Sequence, residues 1–394
     1  MDDLGRNQRL TLRIAGVVAV LSFLVSIPLI LDAGFGAEDF LIEPREQLSW
    51  GESVHGYFTG PDPEAAHYWR PATRVVQQSL QFVFGTSSHA LHAWNIVLHL
   101  LSTALFWVLA RRLSENDVVA WIAAMIFLIH PAHEEPVIWV SGISGLSDSV
   151  CHLAGLVTFD CFLRERRARW GIAVIVLFIL AVLFKESGTT MLLTLPLLWW
   201  YRGHDRRQIW PIVSMAVTAI AIWQWRASIG VDSSQSFTSI VMNPVGWMRN
   251  LLFYVAQSIA PVRSIFRAVG FDNFYRVRDA LPTIPNSLPY LLAVVALGVG
   301  VLGAIMYSWR SWPRYTKWCL QLAPATLGPL LMSRYTGMRL MYLFCGIVAL
   351  CLVGLAISRW RRLMLYALSA WVFIMSVAWI ERSEAWWEAG HLAG

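Results

Sequence analysis

Long continuous apolar runs set the pattern of this chain, and strict alternation is absent. The first run covers residues 14–31, and others follow at 90–110, 118–129, 137–163, 170–184, 191–201 and 209–225. Runs of this kind predict helices that cross a membrane. A transmembrane barrel would instead show short segments of alternating hydrophobicity. Later runs fall at 288–308, 318–332, 340–357 and 363–380, and a weaker one at 245–260. Arg249 and Pro261 bracket that weaker run, which is short for a crossing, so it is expected to lie in the interface. The expected fold class is all-α: a polytopic membrane protein of about 11 transmembrane helices with a long outward-facing first loop, 32–89. Two halves are expected. The N-terminal one, 1–202, carries the acidic loop and the catalytic-type motifs, and the C-terminal one, 203–394, is expected to bind a lipid donor.

Composition agrees. Of 394 residues, 57% are hydrophobic and 14% charged, against about 25% charged in a soluble domain. Mean hydropathy is +0.53. A soluble enzyme, a disordered chain and a disulfide scaffold are thereby excluded. The five cysteines form no CxxC pair, which argues against a zinc ribbon or redox motif.

Net charge is +6. In a soluble protein this would suggest nucleic acid; here the basic residues are distributed as the positive-inside rule places them, and no nucleic-acid partner is expected. Arg6, Arg9 and Arg13 precede the first run, Arg111 and Arg112 close the second, and Arg164, Arg166, Arg167 and Arg169 close the fourth. Arg202, Arg206 and Arg207 close the sixth. The 32–89 segment has eight acids but only Arg45, Arg70 and Arg74 as bases. The N-terminus is therefore expected in the cytoplasm, the first run uncleaved, and the membrane a bacterial inner membrane. After residue 228 charge does not decide the number of crossings. The 21 tryptophans cluster near run ends, where interfacial belts place them.

On this topology four polar clusters project outward: Glu38-Asp39, Trp69-Arg70-Pro71, His130 through Glu135, and Lys185-Glu186. Ionisable groups at membrane depth are costly and usually functional. Each also has a plainer reading. The acid pair is ordinary in a solvated loop. His130, His133 and Glu135 could hold a divalent metal ion or cap two spans, and the spacing is not that of a zinc protease. Lys185-Glu186 could neutralise itself. Lys185 is one of only two lysines, the other being Lys317. His92, Asn95 and His99 share one helical face and could be interhelical hydrogen-bond partners. Arg334 and Arg339, between two late runs, could anchor the chain or clamp a phosphate.

Together these stretches resemble a family. Glu38-Asp39-Phe40, Trp69-Arg70-Pro71-Ala72 and Leu91-His92-Ala93-Trp94-Asn95 come first. His130-Pro131-Ala132-His133-Glu134-Glu135-Pro136-Val137 with Trp139-Val140-Ser141-Gly142 follows, then Lys185-Glu186 with Leu195-Pro196-Leu197-Leu198. In order and spacing they are similar to the membrane domain of the transmembrane-and-TPR O-mannosyltransferases and their bacterial relatives, within the glycosyltransferase C superfamily. The match runs from about residue 30 to 202, and the HPxHxE stretch is its most specific part. Two departures stand out. The family's acid pair starts with Asp where this chain has Glu38. Its Gly-Arg-x-Asp is broken, with Gly142-Ile143 or Gly145-Leu146 in place of Gly-Arg, although Asp148 remains.

The resemblance implies an inverting transfer on the outer face. A carboxylate removes the proton of an acceptor hydroxyl, which attacks the anomeric carbon of a polyprenyl-phosphate-linked sugar. It implies Asp39 as base with Glu38 beside it, and Lys185, Arg334 and Arg339 around the phosphate. Arg70, Glu186, His130, His133 and Glu135 line the substrate site, the last three with a possible divalent ion. The partners implied are the lipid-linked sugar, an acceptor protein or glycolipid, and membrane lipids. A second reading stays open: a non-catalytic membrane subunit or scaffold of a larger complex, which the two departures favour. A transporter would call for inverted repeats or broken midplane helices, and neither is visible.

Overall fold

The computed structural model describes residues 6–34, 50–61, 68–85, 87–203, 205–231, 244–259, 312–331, 341–359 and 361–393. All regular elements among them are helical. They are α1 (Arg6–Leu31), α2 (Trp50–Thr59), α3 (Pro71–Phe84), α4 (Ser88–Ser114), α5 (Asp117–Leu128), α6 (Glu134–Ile138) and α7 (Ile143–Glu165). Then come α8 (Ala168–Phe184), α9 (Met191–Arg202), α10 (Trp210–Ser228), α11 (Pro244–Ile259), α12 (Arg314–Leu331), α13 (Tyr342–Arg359) and α14 (Arg361–Ala393). Short 3-10 turns join α5 to α6, α6 to α7, and α8 to α9.

Apart from 288–308, which lies outside the described residues, the apolar runs reappear as helices, most with ends shifted by a few residues and the last extended to Ala393, and two expectations change. The 32–89 segment is not one loop, because α2 and α3 lie within it. Pro71 starts α3, where its missing N–H costs nothing and its fixed φ suits a first turn. The run 137–163 is not one helix either. It opens with α6 and a turn at Val140–Gly142 before α7 begins. That turn brings Gly142 against the preceding chain, where a Cβ would lie 2.1 Å from the Pro136 carbonyl oxygen, so only glycine fits without moving backbone.

Among the described residues, three helical segments are long and apolar enough to cross a membrane: Leu10–Leu31, Ser88–Ser114 and Val140–Glu165. A fourth candidate is α5 together with Pro131–Ile138, bent by 51°. The bend falls where Pro131 removes a helical hydrogen-bond donor and His130 adopts an extended conformation. The exposure pattern is that of a lipid-facing surface. On α4, His92, Asn95, His99 and Ser102 are buried while Val97, Leu100 and Leu101 are exposed. The outer faces of α1, α10 and α14 show Leu21, Leu24, Val25, Val213, Val217, Ile220, Phe373 and Ile374. In water this would place apolar surface in solvent and polar groups in the core; in lipid it satisfies both.

Polar groups tie the bundle together. His99 donates through Nε2 to the Leu128 carbonyl at 2.9 Å and accepts at Nδ1 from the Tyr342 hydroxyl at 2.6 Å. Asn95 Nδ2 donates to the Trp139 carbonyl at 2.9 Å, and His92 Nε2 lies 2.9 Å from the Gly34 carbonyl. The His92–Asn95–His99 face is therefore interhelical cement. Trp379 Nε1 donates to Ser26 Oγ at 2.8 Å, linking α14 to α1, which pack along much of their length.

Charge gathers at the two ends of the bundle. At one end the fully buried Asp160 of α7 meets three arginines. Arg202 Nε lies 2.6 Å from Oδ1, and Arg164 Nε and Arg112 Nη1 lie 2.9 and 3.2 Å from Oδ2. These are arginines expected on the cytoplasmic side. The candidate site occupies the other end.

Candidate functional site

The start of α3, the turn between α8 and α9, and the end of α10 converge. Thr73 Oγ1 donates to the Phe184 carbonyl at 2.8 Å, which fixes the start of α3 against the end of α8. This registers Arg70 opposite Glu186. Arg70 donates from Nε and Nη2 to Glu186 Oε2 at 3.0 and 2.9 Å, and its guanidinium covers the Tyr68 ring at 4.2 Å. Arg226 Nη1 lies 3.5 Å from Glu186 Oε1, and its guanidinium sits 4.7 Å from the centre of the Trp223 ring. One carboxylate thus lies between two arginines, from segments more than 100 residues apart in sequence. Glu186 is thus paired with two arginines from other segments, partners that its adjacency to Lys185 did not suggest. Burial pushes the Glu186 carboxyl upward in pKa, but Arg70 and then Arg226 outweigh it, and the net shift is below its ordinary value.

Asp148 joins this group from the first turns of α7. Its Oδ2 accepts from Ser187 Oγ at 2.6 Å, whereas its buried Oδ1 has no hydrogen-bond partner among the described residues. Lys185, Glu186 and Arg70 are its charged neighbours. Lys185 reaches over the same helix, with Nζ 3.3 Å from where a Cβ on Gly145 would stand. The result is a charged wall of three cations and two carboxylates, Arg70, Lys185, Arg226, Asp148 and Glu186, beside the hydroxyl of Ser187. A wall with a surplus of cations can hold an anion such as a phosphate.

The HPxHxE stretch lies elsewhere in the interior. His130 and His133 stand in the bend between α5 and α6, with ring centroids 5.4 Å apart. The third metal-ligand type of atom beside them is the thiol of Cys345 on α13; Glu135 is not in that group. Glu134 is buried and forms an ion pair with Arg382 of α14, donated partly from Nη2 to Oε1 at 2.8 Å. Glu135, half-buried, is a charged neighbour of the same arginine.

Of the residues singled out in the sequence, Arg70, Lys185 and Glu186 come together, and His130 and His133 form a second group. Glu38, Asp39, Arg334 and Arg339 lie outside the described residues. Arg226 and Cys345 were not singled out. An arginine ending an apolar run was a usable signal for Arg226. Nothing in the spacing pointed to Cys345.

The class is therefore an all-α membrane protein with ionisable groups buried between its helices. No family model and no solved structure matches the chain. Curated relatives do. Over 127 residues the chain is 31% identical to Protein O-mannosyl-transferase Tmtc1 of Drosophila melanogaster, which is 32% of this chain and 15% of the relative. Over 259 residues it is 27% identical to Protein O-mannosyl-transferase Tmtc2 of the same fly, 60% of this chain and 27% of the relative. Human Protein O-mannosyl-transferase TMTC1 matches at 29% over 127 residues, 32% of this chain and 14% of the relative. The resemblance carried by the motifs is thus present along the sequence, although the matches span only 14% to 27% of these relatives' own lengths.

Proposed function

We propose that the chain is a membrane-embedded glycosyltransferase that moves a sugar from a polyprenyl-phosphate donor to an acceptor hydroxyl. The single observation that carries the reading is the convergence of Arg70, Lys185, Arg226, Glu186 and Asp148 at one end of the bundle. The names of its relatives support the sugar chemistry. In the reaction, Asp39 takes the proton of the acceptor hydroxyl, with Glu38 beside it. The acceptor oxygen bonds to the anomeric carbon as the bond from that carbon to the phosphate oxygen breaks. Configuration inverts, and the lipid phosphate leaves onto cations. Lys185 is the point charge on that phosphate, joined by Arg334 and Arg339. Arg70 and Arg226 hold Glu186 and the surrounding wall in place. The acceptor is a protein or glycolipid.

The site faces outward in this reading, with the N-terminus in the cytoplasm, about 11 crossings, and a donor-binding C-terminal half. A cysteine replacing Glu52 should react with an impermeant thiol reagent added outside, and one replacing Arg167 should not. The reverse pattern would move the site to the other face and end the orientation.

Binding of a polyprenyl-phosphate analogue to purified protein separates this reading from the scaffold, which the internal pairing of Glu186 with two arginines favours. Lys185→Ala should weaken binding by about 1.5–3 kcal/mol, the usual worth of a hydrogen bond to a charged group. Arg169→Ala, exposed at the opposite end, should leave it unchanged. No binding by the wild type, or equal losses in both variants, would leave the scaffold as the reading.

A further inference from the structure

The bend between α5 and α6 holds a cluster that the proposed transfer does not use. The ligand-type atoms of His130, His133 and Cys345 all lie within 4.8 Å of one another, and the three residues are 1%, 0% and 0% exposed. Around Cys345 the wall is apolar, made by Ala132, Tyr254, Leu327, Met341 and Phe344.

The hydrogen bonds locate the lone pairs. His130 Nδ1 accepts from the Ala132 N–H at 3.1 Å, so its proton is on Nε2 and is donated to the Ser258 carbonyl at 3.1 Å. His133 differs. Both of its nitrogens face carbonyl oxygens, Phe127 at 2.8 Å and Tyr342 at 3.1 Å. A neutral imidazole has one N–H, so one of these nitrogens presents a lone pair to an oxygen that cannot donate. Protonating the ring would satisfy both oxygens, but it would bury a cation with His130 and His99 as ring neighbours.

We propose that His130, His133 and Cys345 bind one thiophilic d10 metal ion, Zn(II) or Cu(I). On binding, one nitrogen of His133 leaves its carbonyl oxygen for the ion, and the other keeps donating to a carbonyl, the usual orienting bond of a ligating histidine. On His130 it takes Nδ1 from the Ala132 N–H and keeps the bond to Ser258. A thiolate with two imidazoles selects soft or borderline ions over magnesium or calcium, which prefer oxygen. The thiol releases its proton on binding. Cu(I) with one thiolate is then neutral, which suits a buried apolar pocket; Zn(II) retains one positive charge and takes a fourth ligand. The ion pins the bend to α13 and, through Ser258, to α11.

The test uses tag-free, full-length protein in detergent, loaded separately and in competition with zinc and copper. Elemental analysis should find about one ion per chain, and X-ray absorption one sulfur near 2.3 Å with nitrogens near 2.0 Å. Cys345→Ser and His133→Gln should each lower the metal content by at least about tenfold. Cys351→Ser, buried on the same helix outside the cluster, should leave it unchanged. The ion retained in competition identifies the metal. A wild type without stoichiometric metal under either loading, or a coordination shell without sulfur, would overturn the proposal. The wild-type spectrum decides this even where a variant misfolds.

Discussion

Asp39→Asn should lower sugar transfer by roughly 10²–10⁴-fold, the usual contribution of a positioned general base. Asparagine keeps the shape of the side chain and removes its ability to take a proton, so expression and donor binding should stay at wild-type levels. Under the proposed mechanism Glu38→Gln alone should cost less, because that carboxylate is assigned a place beside the base and not the moving proton. The assay is turnover of a polyprenyl-phosphate sugar by purified protein in lipid, with inversion at the anomeric carbon read from the product. Unaltered turnover in Asp39→Asn and in the Glu38→Gln/Asp39→Asn double variant would remove the acid pair from the mechanism.

Glu186→Gln should be the most destabilising change in the charged wall. Removing one partner of a buried ion pair costs about 3–5 kcal/mol, because the remaining charge has lost its counterion and cannot return to water. Arg226 is in that position, with a side chain only 5% exposed. The contrast is with Asp160, whose arginine partners are 19% to 44% exposed and can swing toward solvent; its loss should cost less. Thermal unfolding in detergent measures both. pH supplies a second readout. Because the folded Glu186 carboxyl lies below its ordinary pKa, its contribution is complete above the unfolded-chain value and is lost as pH falls through the lowered folded value. The wild type should therefore lose stability along an acid limb that Glu186→Gln lacks. Equal melting of the two proteins at neutral pH would mean that the network carries no stability.

The helices were legible because in lipid a crossing segment must satisfy its backbone internally and present apolar side chains outward, and both demands are written locally. Hence α4 and α8 appear within a few residues of their apolar runs. The 32–89 segment was less legible, because α2 and α3 are short, only partly apolar and held by contacts with distant elements. The His92–Asn95–His99 face could be read from helical spacing, but its partners could not, since Trp139, Leu128 and Tyr342 come from three other places.

By itself the sequence determined an all-α membrane protein, the arginine-rich ends of its helices, and a set of motifs similar to the O-mannosyltransferases. These follow from local hydropathy, local charge and order along the chain. Tertiary structure alone decided the partnerships. It paired Glu186 with Arg70 and Arg226 from other segments, and it put Cys345, rather than Glu135, in one ligand group with the two histidines. The physical reason is that a charge or a lone pair acts over a few ångströms in space, whatever its distance in sequence. Which helix ends meet is set by packing across the whole bundle, which no local pattern records.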